Sequence, residues 1–253
     1  MSENDLGAAP KPFEYSRIRS FEILKICRTL LSTLKQISKL PIANLHFEMN
    51  INPDDIQKTY KYFTKPHPLY KVFRNKGLGA ELITLNTYPT RDSFLDAMKM
   101  KNRAGRYAKR ALARGYRVLE IDRNNFVDDI HAINTSIEIR QKRPMDQGYL
   151  KKIEQFEAKR NFRYFGVLNK EGKLFAYCNV GFYGNFYSLD RIIGHRNNDG
   201  VMHLLVIEMV CRLIDAGNAK YLMYDTYFGA SPNMKMFKSM FGFEPFRVKF
   251  SIQ

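Results

Sequence analysis

A chain of 253 residues with 45% apolar and 13% aromatic content has enough material for one large packed domain, with or without an extension, and too much apolar content for broad disorder. Its 41 Lys and Arg against 25 Asp and Glu leave a net charge of +16, a field that attracts nucleic acid, anionic membrane, an acidic carrier protein or a phosphorylated cofactor. Three isolated cysteines in apolar runs (Cys27, Cys178, Cys211) and five histidines without paired spacing argue against a disulfide framework and against a metal site.

Residues 17–40 place Ile18, Phe21, Leu24, Cys27, Leu31, Leu34 and Ile37 at helical spacing, with Arg17, Arg19, Lys25, Arg28 and Lys35 opposite. This amphipathic helix either packs on a core or lies on a membrane or polyanion surface, and Pro41 stops it. A short helix is expected over "NPDDIQKTYKYF", capped at Asn52 with Pro53 in its first turn. The prolines and glycines of "KPHPLYKVFRNKGLG" read as an irregular connector, followed by a strand from Leu82 to Tyr88. One long helix is expected from the Thr90 N-cap to a stop at Gly115, with acids early and bases late, then the strand "YRVLEI". Helices are expected over "NNFVDDIHAINTSIEIRQ" and "DQGYLKKIEQFEAKR". An antiparallel meander follows: "FRYFGVLN", "LFAYCNVGFYG" and "NFYSLDRIIG", with turns at "KEGK" and Gly184-Asn185. The apolar helix "DGVMHLLVIEMVCRLIDAG", the strand "AKYLMYDTY", the helix "SPNMKMFKSMF" and the strand "FEPFRVKFS" complete the chain. Met1 precedes polar and acidic residues rather than a basic-then-apolar run, and no stretch reaches membrane-spanning length, so a cytoplasmic setting is expected.

This order implies an α/β fold with a mixed sheet and helices on both faces. Three segments carry a resemblance: "KNRAGRYAKRALARGYRVLEI" (101–121), "DGVMHLLVIEMVCRLIDAGNAKYLMYD" (199–225) and "FKSMFGFEP" (237–245). In order and spacing they resemble the GCN-five-related N-acetyltransferase (GNAT) superfamily, nearest its Fem-type aminoacyltransferase branch. The resemblance implies a GNAT-like, mostly antiparallel sheet flanked by helices over 83–253, with residues 1–82 as an N-terminal helical and irregular extension. It also implies amide formation: an acyl or aminoacyl group passes from an activated donor to an amine, with no tightly bound cofactor and no metal. Acyl-CoA, an acyl carrier protein (acyl-ACP) or aminoacyl-tRNA would be co-substrate.

In the superfamily two strands splay apart, and the next helix turns its free N–H groups toward a donor pyrophosphate. The matching window here gives Arg196, Asn198, Gly200 and Val201 as donor-binding candidates, joined by Asn233. It departs from the family pattern by an Asn at the first position, a Met at the last and an added Asp199. Beyond the strand "YLMYD", Tyr224 and Asp225 would meet the acceptor, with Asp225 or Glu208 as base and a backbone N–H near Tyr187–Asp190 facing the carbonyl. Lys238 stands where many relatives carry a Tyr acid, so it is either a fixed cation beside the developing oxyanion or a surface lysine with its head in water. Lys101, Arg103, Arg106, Lys109, Arg110 and Arg114, joined by Lys99, Arg140, Lys142 and Arg143, form a candidate surface for tRNA phosphates or an acidic carrier protein. Two other readings stay open: a non-catalytic nucleic-acid-binding protein on this scaffold, and a membrane-surface N-acyltransferase held through residues 17–40.

Overall fold

The computed structural model describes residues 35–67, 74–101, 103–136, 139–140, 143–145, 147–197, 199–228 and 230–253. The chain divides into Met1–Leu40 and Pro41–Gln253. Of the first unit only the helical turn at 35–38 and the bend after it are described, so most of the amphipathic helix expected over 17–40 lies outside the described residues.

Among the described residues of the second unit, ten strands and seven helices follow one another. The strands are β1 (Ile42–Phe47), β2 (Leu78–Thr84), β3 (Arg117–Glu120), β4 (Ile139–Arg140), β5 (Arg143–Pro144), β6 (Phe162–Leu168), β7 (Leu174–Phe182), β8 (Phe186–Gly194), β9 (Tyr221–Thr226) and β10 (Glu244–Ile252). The helices are α1 (Pro53–Thr64), α2 (Arg91–Lys101), α3 (Ala104–Ala113), α4 (Val127–Thr135), α5 (Gln147–Leu150), α6 (Val201–Ala216) and α7 (Pro232–Ser239). Eight strands form one sheet in the order β1-β10-β2-β9-β8-β7-β6-β3, while β4 and β5 pair separately. Only β1–β10 and β8–β9 run parallel. This is the expected α/β architecture with a mostly antiparallel sheet.

Alternation of side chains across the sheet separates two apolar faces. On β7, Ala176, Cys178 and Val180 join one cluster, while Tyr177 joins another. The first face is covered by Phe94 and Met98 of α2, Ala104, Ala108 and Ala111 of α3, and the apolar length of α6. On the second face, Ile56 and Phe63 of α1 pack with β1, β2 and β10. Ile130 and Ile133 of α4 pack with Leu174, Tyr177 and Ile193. Cys178 and Cys211 are buried and free, and burial raises the Cys211 thiol to about 12; Cys27 lies outside the described residues.

Five local expectations change. The strand expected from Leu82 to Tyr88 is β2, Leu78–Thr84, and a 3-10 turn at Leu85–Thr87 follows it. The long helix 90–115 is two helices, α2 and α3, with the Thr90 cap and the Gly115 stop (φ +88°) as expected. The segment after Pro41 is a strand rather than a loop, with Ala43, Leu45 and Phe47 buried alternately beside β10. The helix expected over 124–141 is helical only at Val127–Thr135, after a 3-10 turn at Arg123–Phe126. The helix expected over 146–160 is the single turn α5. Beyond it, Asn124 binds both backbone groups of Phe156, and Arg123 donates to the Glu157 carbonyl, so tertiary bonds replace helical ones.

Candidate active site

The central strands part. β8 and β9 pair through only Phe186–Tyr221, Tyr187–Leu222 and Ser188–Met223. Beyond Ser188, β8 stays with β7, while beyond Met223, β9 stays with β2. A bulge sits on each strand where they separate. On β8 the residue Asp190 is extra against Asn179–Val180 of β7. On β9, Tyr224 and Asp225 both face the single residue Glu81 of β2. Asp225 takes φ +54°, the only positive φ among non-glycine residues described.

A cavity of about 850 Å³ opens at this parting, within the range of small-molecule sites. Leu189–Ile192 and Met223–Thr226 form its walls, and Asp55, Tyr62 and Phe63 of α1 border it. Lys238 of α7 also lines it, yet both Lys238 and Glu81 are only 2% exposed. The Lys238 ammonium donates to Glu81 Oε2 and, at 3.2 Å, to the Thr226 carbonyl. It lies 4.9 Å from the centre of the Tyr224 ring. Lys238 is therefore not a surface lysine with its head in water. Burial raises the Glu81 carboxyl above the usual carboxylate range, although Lys238 opposes the shift.

Three of the sequence-named residues, Lys238, Asp225 and Tyr224, share this cavity. Asp225 is exposed and paired with Lys76, which also lines it. The donor-binding set lies elsewhere. Gly200 (φ +86°) and Val201 are buried at the start of α6, and a Cβ on Gly200 would collide with the Tyr107 carbonyl of α3. Asp199, just before, accepts from Tyr116 Oη at 2.9 Å and pairs with Arg114. Arg196 and Asn233 are exposed and Asn198 lies outside the described residues. Glu208 faces Arg91 at 3.6 Å on α6, away from the cavity lining. Arg103, Arg106, Lys109, Arg110 and Arg114 are exposed on and around α3. Lys142 and the side chains of Lys99, Lys101, Arg140 and Arg143 lie outside the described set.

Sequence reading missed Glu81 and Asp190. Each is an acid inside an otherwise apolar strand, "GAELIT" and "YSLDRII", a signal that was available. The bulge opposite Glu81 depends on β9, distant in sequence, whereas the Asp190 bulge lies within the β7–β8 hairpin. Among the described residues, no cluster of His, Cys, Asp and Glu could hold a metal ion.

No family model and no curated protein sequence matches this chain. Among solved structures, FemX superposes with a TM-score of 0.52 over 88% of this chain and 75% of its own, at 12% identity. L-PGS from Bacillus licheniformis matches 66% of the chain at 14% identity and TM-score 0.41, and the chain spans 58% of its length. A tandem GNAT protein from the clavulanic acid biosynthesis pathway matches 66% of this chain and 50% of its own, at 17% identity and TM-score 0.39. The fold is GNAT-like. Within that class, the structure resembles the Fem-type branch, through the match to FemX.

Proposed function

We propose that the protein is an acyltransferase that joins an acyl or aminoacyl group to an amine by direct attack, with the parted strands β8 and β9 as its reaction cleft. The observation carrying this reading is the buried Lys238, which lines a large cavity at a double bulge and is held there by its pairing with Glu81. A structural ion pair needs no cavity, whereas a charge held beside one is positioned to act on a ligand.

In this reading the amine attacks the donor carbonyl carbon, forming the C–N bond while the carbonyl electrons move onto oxygen. The Lys238 ammonium steadies that oxyanion, and a backbone N–H of the bulge at Asp190 supplies a second donor. The proton leaving the amine passes to a carboxylate. Asp225 lines the cavity and can take it, while Glu81 holds the Lys238 ammonium in place from behind the lining. Collapse of the oxyanion breaks the bond to the carrier, whose oxygen or sulfur leaves with a proton.

The start of α6 favours a macromolecular carrier over free acyl-CoA. The Tyr107 carbonyl crowds the place where a backbone cradle would approach a pyrophosphate, and Asp199 adds negative charge nearby. The exposed bases around α3 suit the phosphates of aminoacyl-tRNA or the acidic face of a carrier protein. An acceptor amine would enter along α1.

The test presents purified protein with aminoacyl-tRNA, acyl-ACP and acyl-CoA in turn, together with a panel of amines, and detects amide by mass spectrometry. Amide from a carrier-borne donor is expected. Tight, salt-sensitive RNA binding without product from any donor would replace this reading with non-catalytic nucleic-acid binding. The membrane-surface reading rests on residues 17–40, and co-sedimentation with anionic liposomes of wild type against Leu24→Lys/Leu31→Lys decides it: equal sedimentation removes it. Among the described residues, no helix is long and apolar enough to cross a membrane.

A further inference from the structure

A smaller cavity of about 230 Å³ shares Lys159, Phe162 and Asp190 with the main one. Arg123, Phe156, Tyr164 and Asn179 complete its principal walls. Its two cations each have a partner. Arg123 Nη2 donates to the Glu157 carbonyl at 2.5 Å, and its guanidinium lies 3.9 Å from the centre of the Tyr164 ring. The Lys159 ammonium is paired with Asp55.

Its acceptors are not engaged. Asn179 is 5% exposed, and its Oδ1 has no hydrogen-bond partner among the described residues. A buried amide oxygen left in that state is destabilising unless something binds it. Asp190, the extra residue of the β8 bulge, is exposed; Arg123 and Arg191 feel its charge, but neither forms an ion pair with it. The bulge thus presents a carboxylate beside the orphan amide oxygen where the two cavities meet. Two acceptors therefore stand open here, one charged and one neutral.

We propose that this side cavity receives a primary ammonium group of the substrate, with Asp190 supplying the charge and Asn179 Oδ1 a second acceptor. The group belongs either to an aminoacyl donor or to an acceptor with a second amine. The proposal rests on the transfer reading only in calling the amine a substrate's, because binding is measured without turnover.

The experiment titrates the full chain by calorimetry with L-lysine methyl ester, 1,5-diaminopentane and methyl hexanoate. Both amines are expected to bind at least tenfold more tightly than methyl hexanoate. Asp190→Asn should weaken the amines by about tenfold, the scale of a charge-assisted bond, and leave methyl hexanoate unchanged. Tighter binding of the lysine ester assigns the cavity to the donor, and tighter binding of the diamine to the acceptor; either order supports the proposal. Asn179→Leu removes the orphan oxygen, so it should unfold no more easily than wild type and yet bind both amines more weakly. Equal affinity for all three probes, or wild-type amine affinity in folded Asp190→Asn, overturns the proposal. Absence of amide product would sink the transferase reading and leave these affinities standing.

Discussion

A lysine and a glutamate removed from water constrain each other. Lys238→Ala leaves the Glu81 carboxylate buried without its partner, a change that typically costs about 3–5 kcal/mol. A surface lysine with its head in water would have made this substitution nearly neutral; the pairing with Glu81 makes it costly. The double variant Lys238→Met/Glu81→Gln removes both charges at similar volume and should fall within about 1 kcal/mol of wild type in chemical denaturation. Loss of amide formation in that folded variant then reports chemistry alone, and retention would remove the pair from the mechanism. His203 offers an independent check of burial. Desolvation, aided by Arg110, holds it at about 4 instead of 6.5, so it stays neutral in the fold while the unfolded chain takes up a proton between these values. Stability should be complete above pH 6.5 and decline as pH falls toward 4. The full displacement corresponds to ~3 kcal/mol in a dry site, reduced to about 2 by partial exposure. A folded His203→Phe variant should lose that slope, and an unchanged slope would assign it to other groups.

Helix α6 starts at a position that tolerates no side chain. Gly200 needs a left-handed backbone and presses on the Tyr107 carbonyl, so Gly200→Ala combines strain with a backbone clash. A loss of about 2–4 kcal/mol is expected in thermal or denaturant unfolding; a loss below about 1 would mean that α3 yields freely. From sequence this glycine read as the start of an apolar helix, which is right, while its contact with α3 was invisible. The same limit explains the strand β1. "IANLHF" has no β-branched run beyond its first residue, and its partner β10 lies some two hundred residues away. The stretch 146–160 failed for the opposite reason: its Lys, Glu and Gln favour helix locally, but Asn124 and Arg123 bind its backbone instead. The meander and the late helix–strand–helix–strand were legible because their turns and periods are local.

The whole molecule carries its charge unevenly, with Arg103, Arg106, Lys109 and Arg110 exposed on or beside one helix. If phosphates of a carrier RNA lie there, replacing these four by Gln should reduce the slope of log affinity against log salt by about 3, measured by filter binding from roughly 50 to 200 mM salt. An unchanged slope would place the polyanion elsewhere. Charge was plain from composition; the catalytic half of the site was only partly so. Lys238, Asp225 and Tyr224, which line the cavity, could be named from sequence because they stand near element ends, whereas Glu81 and Asp190 sit mid-strand beside ladder irregularities.

The eight-stranded sheet consists of two four-stranded ribbons stitched by three residue pairs between β8 and β9. Every other junction in it has more rungs or is backed by a longer strand overlap. Mechanical load, thermal breathing or an oversized guest would therefore concentrate at that seam, letting the ribbons rock about it while each keeps its own ladder intact.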